Sequence, residues 1–372
     1  MFSSTEFSST GEKQEKTMET ASRGPTVTVL IPAFNEEECI GETLDALFRQ
    51  TVRARRVIVV DDCSTDRTAE VCGAYPVEVV RTPQNEGSKA SALNYVLPEC
   101  DTELIMVLDA DAAPAPDYLE RLLPKFGDPN VTVAAGCVLS MNTRTKAERG
   151  RSIEWLIASF FYRPIQNITN ASLVIPGCAT LYRLENLRED GGWTSQTVCE
   201  DIDYTWTTQL QGHRAVYVPR AIVRTIDPPT GPGLGRQEFR WMSSMFQSVR
   251  LHWRELWRKP MLALQVGLLL VTNLLIIPYW TLPAILVLVF HLPWLWTIAG
   301  GFALQALVLL GILSFASVSL RLNPARILAR VPFWWFYTWT YTAWYSLRAL
   351  TVELILVPLG FSEGMTVFAK GH

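Results

Sequence analysis

Four groups of side chains have the types and spacing to do chemistry together. Asp109 and Asp111 flank a small Ala110. In an extended segment their carboxylates project to the same side, where they suit a divalent ion held against a diphosphate, because hard cations take oxygen ligands. Asp61-Asp62 closes another apolar run, and a carboxylate there can accept hydrogen bonds from a ribose or a base N–H. Glu200-Asp201 follows Val198-Cys199, and Gln237-Glu238-Phe239-Arg240-Trp241 comes next. These acidic and basic groups suit activated-sugar chemistry. They lie directly upstream of long apolar runs, which points to an enzyme at a bilayer surface that passes its product into or across it.

The elements that must carry these groups are legible from periodicity. Val27–Pro32, Val57–Val60, Val77–Val80 and Leu104–Leu108 read as short apolar strands. The spacing of Ile40, Leu44, Leu47 and Phe48 predicts a helix within Asn35–Gln50. Ser64-Thr65-Asp66 can cap a following helix, and Ser88–Val96 suits another behind a glycine-containing loop. Near-continuous apolar strands alternating with helices predict an α/β fold whose mostly parallel sheet is covered on both faces. Ligands of such sheets bind at the carboxyl ends of the strands. Asp61, Asp62, Asp109 and Asp111 fall there.

The chain has 372 residues and a net charge of −3. That length holds one sizeable domain plus a membrane part, and no global basic field points to nucleic acid. Seven cysteines lack metal-type or CxxC spacing and read as reduced, buried thiols. Residues 1–25 are polar and without an apolar core, so they read as a disordered tail rather than a signal peptide. The domain that follows, residues 26–253, is thereby expected in the cytosol, and residues 254–372 are expected to be transmembrane and interfacial helices.

Taken in order, Pro32-Ala33-Phe34-Asn35-Glu36, Asp61–Asp66, Asn85–Ala90, Asp109-Ala110-Asp111, Gly191-Gly192-Trp193, Cys199-Glu200-Asp201 and Gln237–Trp241 resemble family 2 glycosyltransferases. With the apolar C-terminal third, the last two motifs resemble the membrane-integrated synthases of cellulose, hyaluronan and poly-N-acetylglucosamine. The resemblance implies a GT-A-type nucleotide-sugar-binding domain. It implies that Asp62, with Pro32, Ala33, Asn35 and Glu36, contacts the uridine of a UDP-sugar, and that Lys89 lies near the diphosphate or nucleotide. It makes Asp111, with Asp109, the holder of Mg²⁺ or Mn²⁺. Asp201, beside Glu200, becomes the general base toward the acceptor hydroxyl, and Gln237, Arg240 and Trp241 line the acceptor end and the diphosphate.

Physical chemistry agrees with this division. A sugar hydroxyl is a poor nucleophile that a positioned carboxylate helps deprotonate. A leaving diphosphate gains charge that a metal and an arginine stabilise. In-line attack inverts the anomeric centre. The implied reaction adds sugar to a growing β-linked polysaccharide. Single-sugar transfer to a lipid carrier is the alternative, and a non-catalytic membrane scaffold is the reading from another class. Two positions depart from the family pattern: Cys199 stands where Thr is usual, and Glu238 where a basic residue is common. Bland readings also exist, with Asp201 as a helix cap and Arg240-Trp241 as part of an amphipathic headgroup helix.

The C-terminal third is expected to lie in a bilayer as an integral membrane part. Arg250, Arg254, Arg258 and Lys259 beside Trp253 and Trp257 read as an interfacial segment. Met261–Trp280 has about the ~20 residues of a span. Thr281–Leu320, whose only formally ionisable side chain is His291, has room for two spans broken near Gly300-Gly301. Phe333–Leu359, aromatic and carrying Arg348 and Glu353, reads as one further span or an interfacial helix. The two charges are near enough to pair on one helix face, although five apart is not ideal, and either line a polar path or mark a helix end at the interface.

Overall fold

The computed structural model describes residues 24–274 and 294–365. Four strands, β1 (Val27–Ala33), β2 (Arg56–Asp61), β3 (Glu78–Arg81) and β4 (Leu104–Leu108), occupy the apolar runs predicted for them. They pair in parallel in the order β3-β2-β1-β4. The strand period of two sends alternate side chains to opposite faces. Leu30, Ile58, Val60, Ile105 and Val107 enter one core, while Val29, Ile31, Val57, Val59 and Met106 enter the other. Both faces are therefore covered.

The sheet continues past β4 through β7 (Ala179–Arg183), β6 (Val131–Ser140), β8 (Arg214–Thr225) and β5 (Ala112–Pro114). Here it becomes mixed. β7 runs antiparallel to both β4 and β6, β6 and β8 are parallel, and β5 is antiparallel to β8. The eight-stranded sheet is mostly parallel in its first half, as predicted, and gains antiparallel pairings from strands far apart in sequence.

Helices fill the connections. Ile40–Phe48 forms within the predicted segment, and Lys89–Val96 within Ser88–Val96. Asp66 Oδ1 accepts from the backbone N–H of Thr68 at 3.0 Å as the helix Thr68–Cys72 begins. The helix Lys146–Ile157 opens with a capping box between Thr145 and Glu148. Glu200–Leu210 precedes β8, and the 22-residue helix Gly231–His252 follows it. All seven cysteines are free; Cys72, Cys100, Cys137 and Cys199 are buried, whereas Cys39, Cys63 and Cys178 are only partly buried, against the expectation that all seven are.

The C-terminal helices pack on the sheet-bearing part. Leu309, Leu313, Ala316 and Ile327 share a core with Leu30 and Ile105. Among the described residues no helix is long and apolar enough to cross a membrane. Residues 275–293, which include the end of the predicted span Met261–Trp280 and the start of the next, lie outside the described residues. Trp294–Leu320 is one continuous helix, so no break occurs at Gly300-Gly301. Arg348 and Glu353 do not pair. Glu353, fully buried, accepts from Gln247 Nε2 at 3.0 Å and from Arg250 Nη1 at 3.1 Å. Arg348 instead stacks over the Phe239 ring at 4.5 Å. Five residues along a helix turn two side chains well apart, and the long neighbouring helix offers closer partners.

Candidate active site

The carboxyl ends of β1, β2 and β4 form the floor of the site. Asp61 and Asp62 divide their work. Asp61, 1% exposed, accepts from the backbone N–H of Ser64 at 2.9 Å and from Arg81 Nη1 at 3.0 Å, so it is committed to the turn. Asp62 accepts from Thr82 Oγ1 at 2.7 Å, and its backbone N–H is tied to Ala33 O at 2.8 Å. Burial pushes its carboxyl up from the ordinary range.

Asn35 and Cys63, at the ends of β1 and β2, adopt φ of 55° and 63°. Left-handed non-glycine backbone costs energy and persists where surrounding bonds enforce it. Those bonds are present. Asn35 Oδ1 accepts from the Thr65 N–H at 2.8 Å, and the Asn35 N–H donates to Ser64 Oγ at 3.0 Å. Glu36 is buried, with Cys39 Sγ donating to its Oε2 at 3.0 Å. Pro32 and Ala33 lie within β1, in register with Val60 and Asp61. The segment 32–36 thus braces the loop that presents Asp62.

Lys89 opens its helix directly above the end of β4. Its Nζ donates to Asp109 Oδ1 at 2.6 Å and to the Gly177 carbonyl at 3.3 Å, and lies 3.1 Å from Glu200 Oε1. Burial opposes the ammonium, but the charges of Asp109 and Glu200 hold its pKa well above the ordinary value. One cation therefore joins a strand-end acid to the acid that opens the helix Glu200–Leu210. Asp201 Oδ2 accepts from the Gly177 N–H at 2.7 Å, and Oδ1 from the Ile202 N–H at 2.9 Å. A Cβ at Gly177 would meet Asp201 Oδ2 at 2.7 Å, so only glycine lets the carboxylate seat there. Burial, then the charge of Glu200, raise Asp201 to about 6, against the lowering pull of Lys89. A carboxyl poised there is ionised at neutral pH yet still basic enough to take a proton. Asp201 does not cap its helix: Cys199 occupies the N-cap position and no side chain caps the first turn, so the carboxylate is committed to Gly177 and its own neighbour Ile202 instead.

Asp111 is pushed up to about 7, first by burial and then by the charge of Asp109. An acid crowded by another acid fits a site completed by a cation. Asp109 and Asp111 supply hard oxygen donors, which suit Mg²⁺ or Mn²⁺. Among the described residues no group of three or more His, Cys, Asp or Glu could hold a metal ion. Such a cation would take its remaining ligands from diphosphate oxygens and water, as Mg²⁺ commonly does.

The Gly191-Gly192-Trp193 turn is tied to the helix that carries Lys89. Asn94, on the Lys89 helix, donates to Trp193 O at 2.7 Å and accepts from the Trp193 N–H at 2.9 Å. Gly192 has φ of 88°, and a Cβ there would lie 2.4 Å from Asn94 Oδ1. Cys199 is buried, its thiol pushed up to about 12 by burial. Its backbone N–H donates to Ser244 Oγ at 3.1 Å, so this position is held through the backbone and a serine of the long helix rather than through a cap side chain. Ser244 lies four residues after Arg240, on the same helix face. The charge of Arg240 accordingly reaches the Cys199 thiol and pulls its pKa down.

Gln237, Glu238 and Trp241 gather around a residue that no motif marks. Arg151 is 2% exposed. It donates to Gln237 Oε1 at 2.7 Å and to Glu238, and its Cζ sits 4.4 Å over the Trp241 ring. Glu238, anomalous in the sequence, is the buried partner of this arginine and also accepts from Tyr337 OH at 2.6 Å. Arg151 and Glu238 are 87 residues apart, and no local pattern announces such a pair. Gly177 was likewise invisible, since its value lies in contact with a carboxylate 24 residues away.

The fold is α/β and GT-A-like, with a mostly parallel sheet. Residues 28–191 match the model of glycosyl transferase family 2. Glu200, Asp201 and Gln237–Trp241 lie beyond the matched segment. Over 222 residues the chain is 28% identical to the poly-beta-1,6-N-acetyl-D-glucosamine synthases of Staphylococcus aureus (strain COL) and Staphylococcus epidermidis, covering 58% of this chain and 53% of theirs. The chain thus spans about half the length of the curated relatives it matches. Among solved structures, the mannosyltransferase PcManGT from Pyrobaculum calidifontis, in complex with GDP-Man and Mn²⁺, superposes with a TM-score of 0.61 at 23% identity, over 84% of this chain and 87% of that one. That likeness is one of fold.

Proposed function

We propose that the protein is an inverting, membrane-bound glycosyltransferase that moves a sugar from a UDP-sugar to a growing β-linked polysaccharide, coupled to its secretion. The observation that carries this reading is the bridge made by Lys89 between Asp109, at the donor end, and Glu200, beside Asp201. It brings a diphosphate-facing acid and a hydroxyl-facing acid into one constellation. Asp62 receives the uridine, in a loop braced by Pro32, Ala33, Asn35 and Glu36. Asp109 and Asp111 hold Mg²⁺ or Mn²⁺, which when bound offsets the charge on the diphosphate. Asp201 takes the acceptor hydroxyl proton, with Gly177 N–H fixing its orientation. Arg240 offers positive charge to the leaving diphosphate, and Trp241 offers a ring to the acceptor sugar.

The relatives named as poly-beta-1,6-N-acetyl-D-glucosamine synthases support a polymeric product. The apolar residues after position 253 support a bilayer setting. Trp257 is 73% exposed with Arg258 stacked on it, and Leu307 and Val318 are 67% and 79% exposed. Apolar surface on this scale favours a lipid neighbour. Residues 254–372 thus form the membrane part and 26–253 the cytosolic catalytic domain.

The test is incubation of the full chain, in lipid, with Mn²⁺ and a panel of UDP-sugars plus GDP-mannose, followed by mass analysis. A ladder of added hexose units supports the polymerase reading. A single sugar on lipid replaces it with transfer to a lipid carrier, and no turnover with any donor leaves a non-catalytic scaffold.

A further inference from the structure

The helix Lys146–Ile157 contributes a cation that neither the motifs nor the comparisons assign. Besides Gln237, Glu238 and the Trp241 ring, the Arg151 guanidinium reaches Glu154 Oε2 at 2.9 Å and Asp227 Oδ1 at 3.6 Å. Asp227, 1% exposed, in turn accepts from Trp155 Nε1 at 3.1 Å. Trp155 and Trp241 then meet edge to face, with centroids 5.7 Å apart and planes at 69°. Both rings are only partly buried. A single side chain thus joins the helix Lys146–Ile157, the segment after β8 and the helix Gly231–His252.

Only a guanidinium can do this. Its planar fork of five N–H donors serves several acceptors in fixed directions while its face stacks on an indole, whereas an ammonium is a compact point charge. Glu238 and Asp227 are buried acids, and each would be costly without that charge beside it.

We propose that Arg151 is the positioning residue of the acceptor end: it fixes Gln237 and Trp241 directly and Trp155 through Asp227, so that the two indoles make one corner that receives the apolar face of a pyranose ring. Trp155 is then a second sugar-binding wall beside Trp241. The inference rests on the transferase reading. Steeply crossed, partly exposed indoles with a carboxylate at the Trp155 edge suit a ring that has C–H groups on its face and hydroxyl donors around its rim.

The experiment measures acceptor and donor separately in the full chain in lipid, using UDP for nucleotide affinity and a defined oligosaccharide of the productive sugar as acceptor. Arg151→Lys keeps the charge and loses the fork; Trp155→Phe keeps an aromatic ring and loses the indole N–H. Both are expected to raise the acceptor KM about tenfold, with UDP affinity within about twofold of the parent. An unchanged acceptor KM in both variants overturns the proposal, and so does a parallel loss of UDP affinity, which marks a merely structural role. Wild-type protein that transfers no sugar removes the transferase reading and the inference with it. Wild-type transfer beside unaltered variants removes only the positioning role.

Discussion

Replacing Lys89 by Met gives the sharpest reading of the site, because one ammonium touches both halves of it. Its Nζ lies 2.6 Å from Asp109 and 3.1 Å from Glu200, and its charge lowers the pKa of neighbouring Asp201. An opposite charge within about 4–6 Å depresses a carboxyl pKa by about 1–3 units, and because the ion pairs of Lys89 are with Asp109 and Glu200, the low end of that range applies to Asp201. Asp201 stands at about 6 with that pull in place. Without it, a rise of about one unit, or about 1.4 kcal/mol, moves the acid limb up toward neutral pH. The base must be ionised to accept a proton, so activity is lost as pH falls through its pKa. At pH 7 the ionised fraction drops from about nine-tenths to about one-half, a roughly twofold loss that returns above about pH 8. The assay is the pH profile of acceptor kcat/KM, which reports the free enzyme. Lys89→Arg, which keeps the charge, should leave the acid limb near its original position. If the Lys89→Met limb stays near 6 and the deficit is the same at every pH, Lys89 does not tune the base.

Asp201→Asn should reduce transfer at least about a hundredfold while UDP binding, read by calorimetry, persists; general-base removal costs on this order. Full activity in that variant would sink the base assignment. Asp111→Asn should weaken donor binding in Mn²⁺ but not in chelator, and an unchanged metal dependence counts against its role. Gly192→Ala meets both a φ of 88° and the Asn94 carboxamide, so thermal melts should show a loss of about 1–3 kcal/mol; an unshifted midpoint would mean that the turn relaxes freely. Glu353→Ala strips a partner from Arg250, which is about one-third exposed. About 1–3 kcal/mol should be lost, less than for a wholly buried pair.

Much of the donor side was legible because its determinants are local. β4 lies at Leu104–Leu108, as read from its apolar run, and the Asp109 and Asp111 positions follow from where that strand must end. The same holds for Asp62 after β2 and for Lys89 at the start of its helix. A strand's burial is written in consecutive residues, and a parallel sheet puts ligands at one edge. The β6, β7 and β8 pairings were not legible, since antiparallel neighbours such as Leu104 and Arg183 share no local pattern. The continuous helix Trp294–Leu320 was also unforeseen, because a Gly-Gly pair weakens a helix without ending it.

The types of group at the site, and their order along the chain, therefore came from residue chemistry and short-range periodicity. Their joining did not. Lys89 acquires Glu200, Asp201 acquires Gly177, and Glu238 acquires Arg151 through contacts between segments brought together by the burial of two sheet faces and the docking of a long helix. Hydrophobic burial is set by pattern and so shows in the sequence. An ion pair or a seat for one carboxylate depends on distances of a few ångströms between remote residues, and those exist only once the chain has packed.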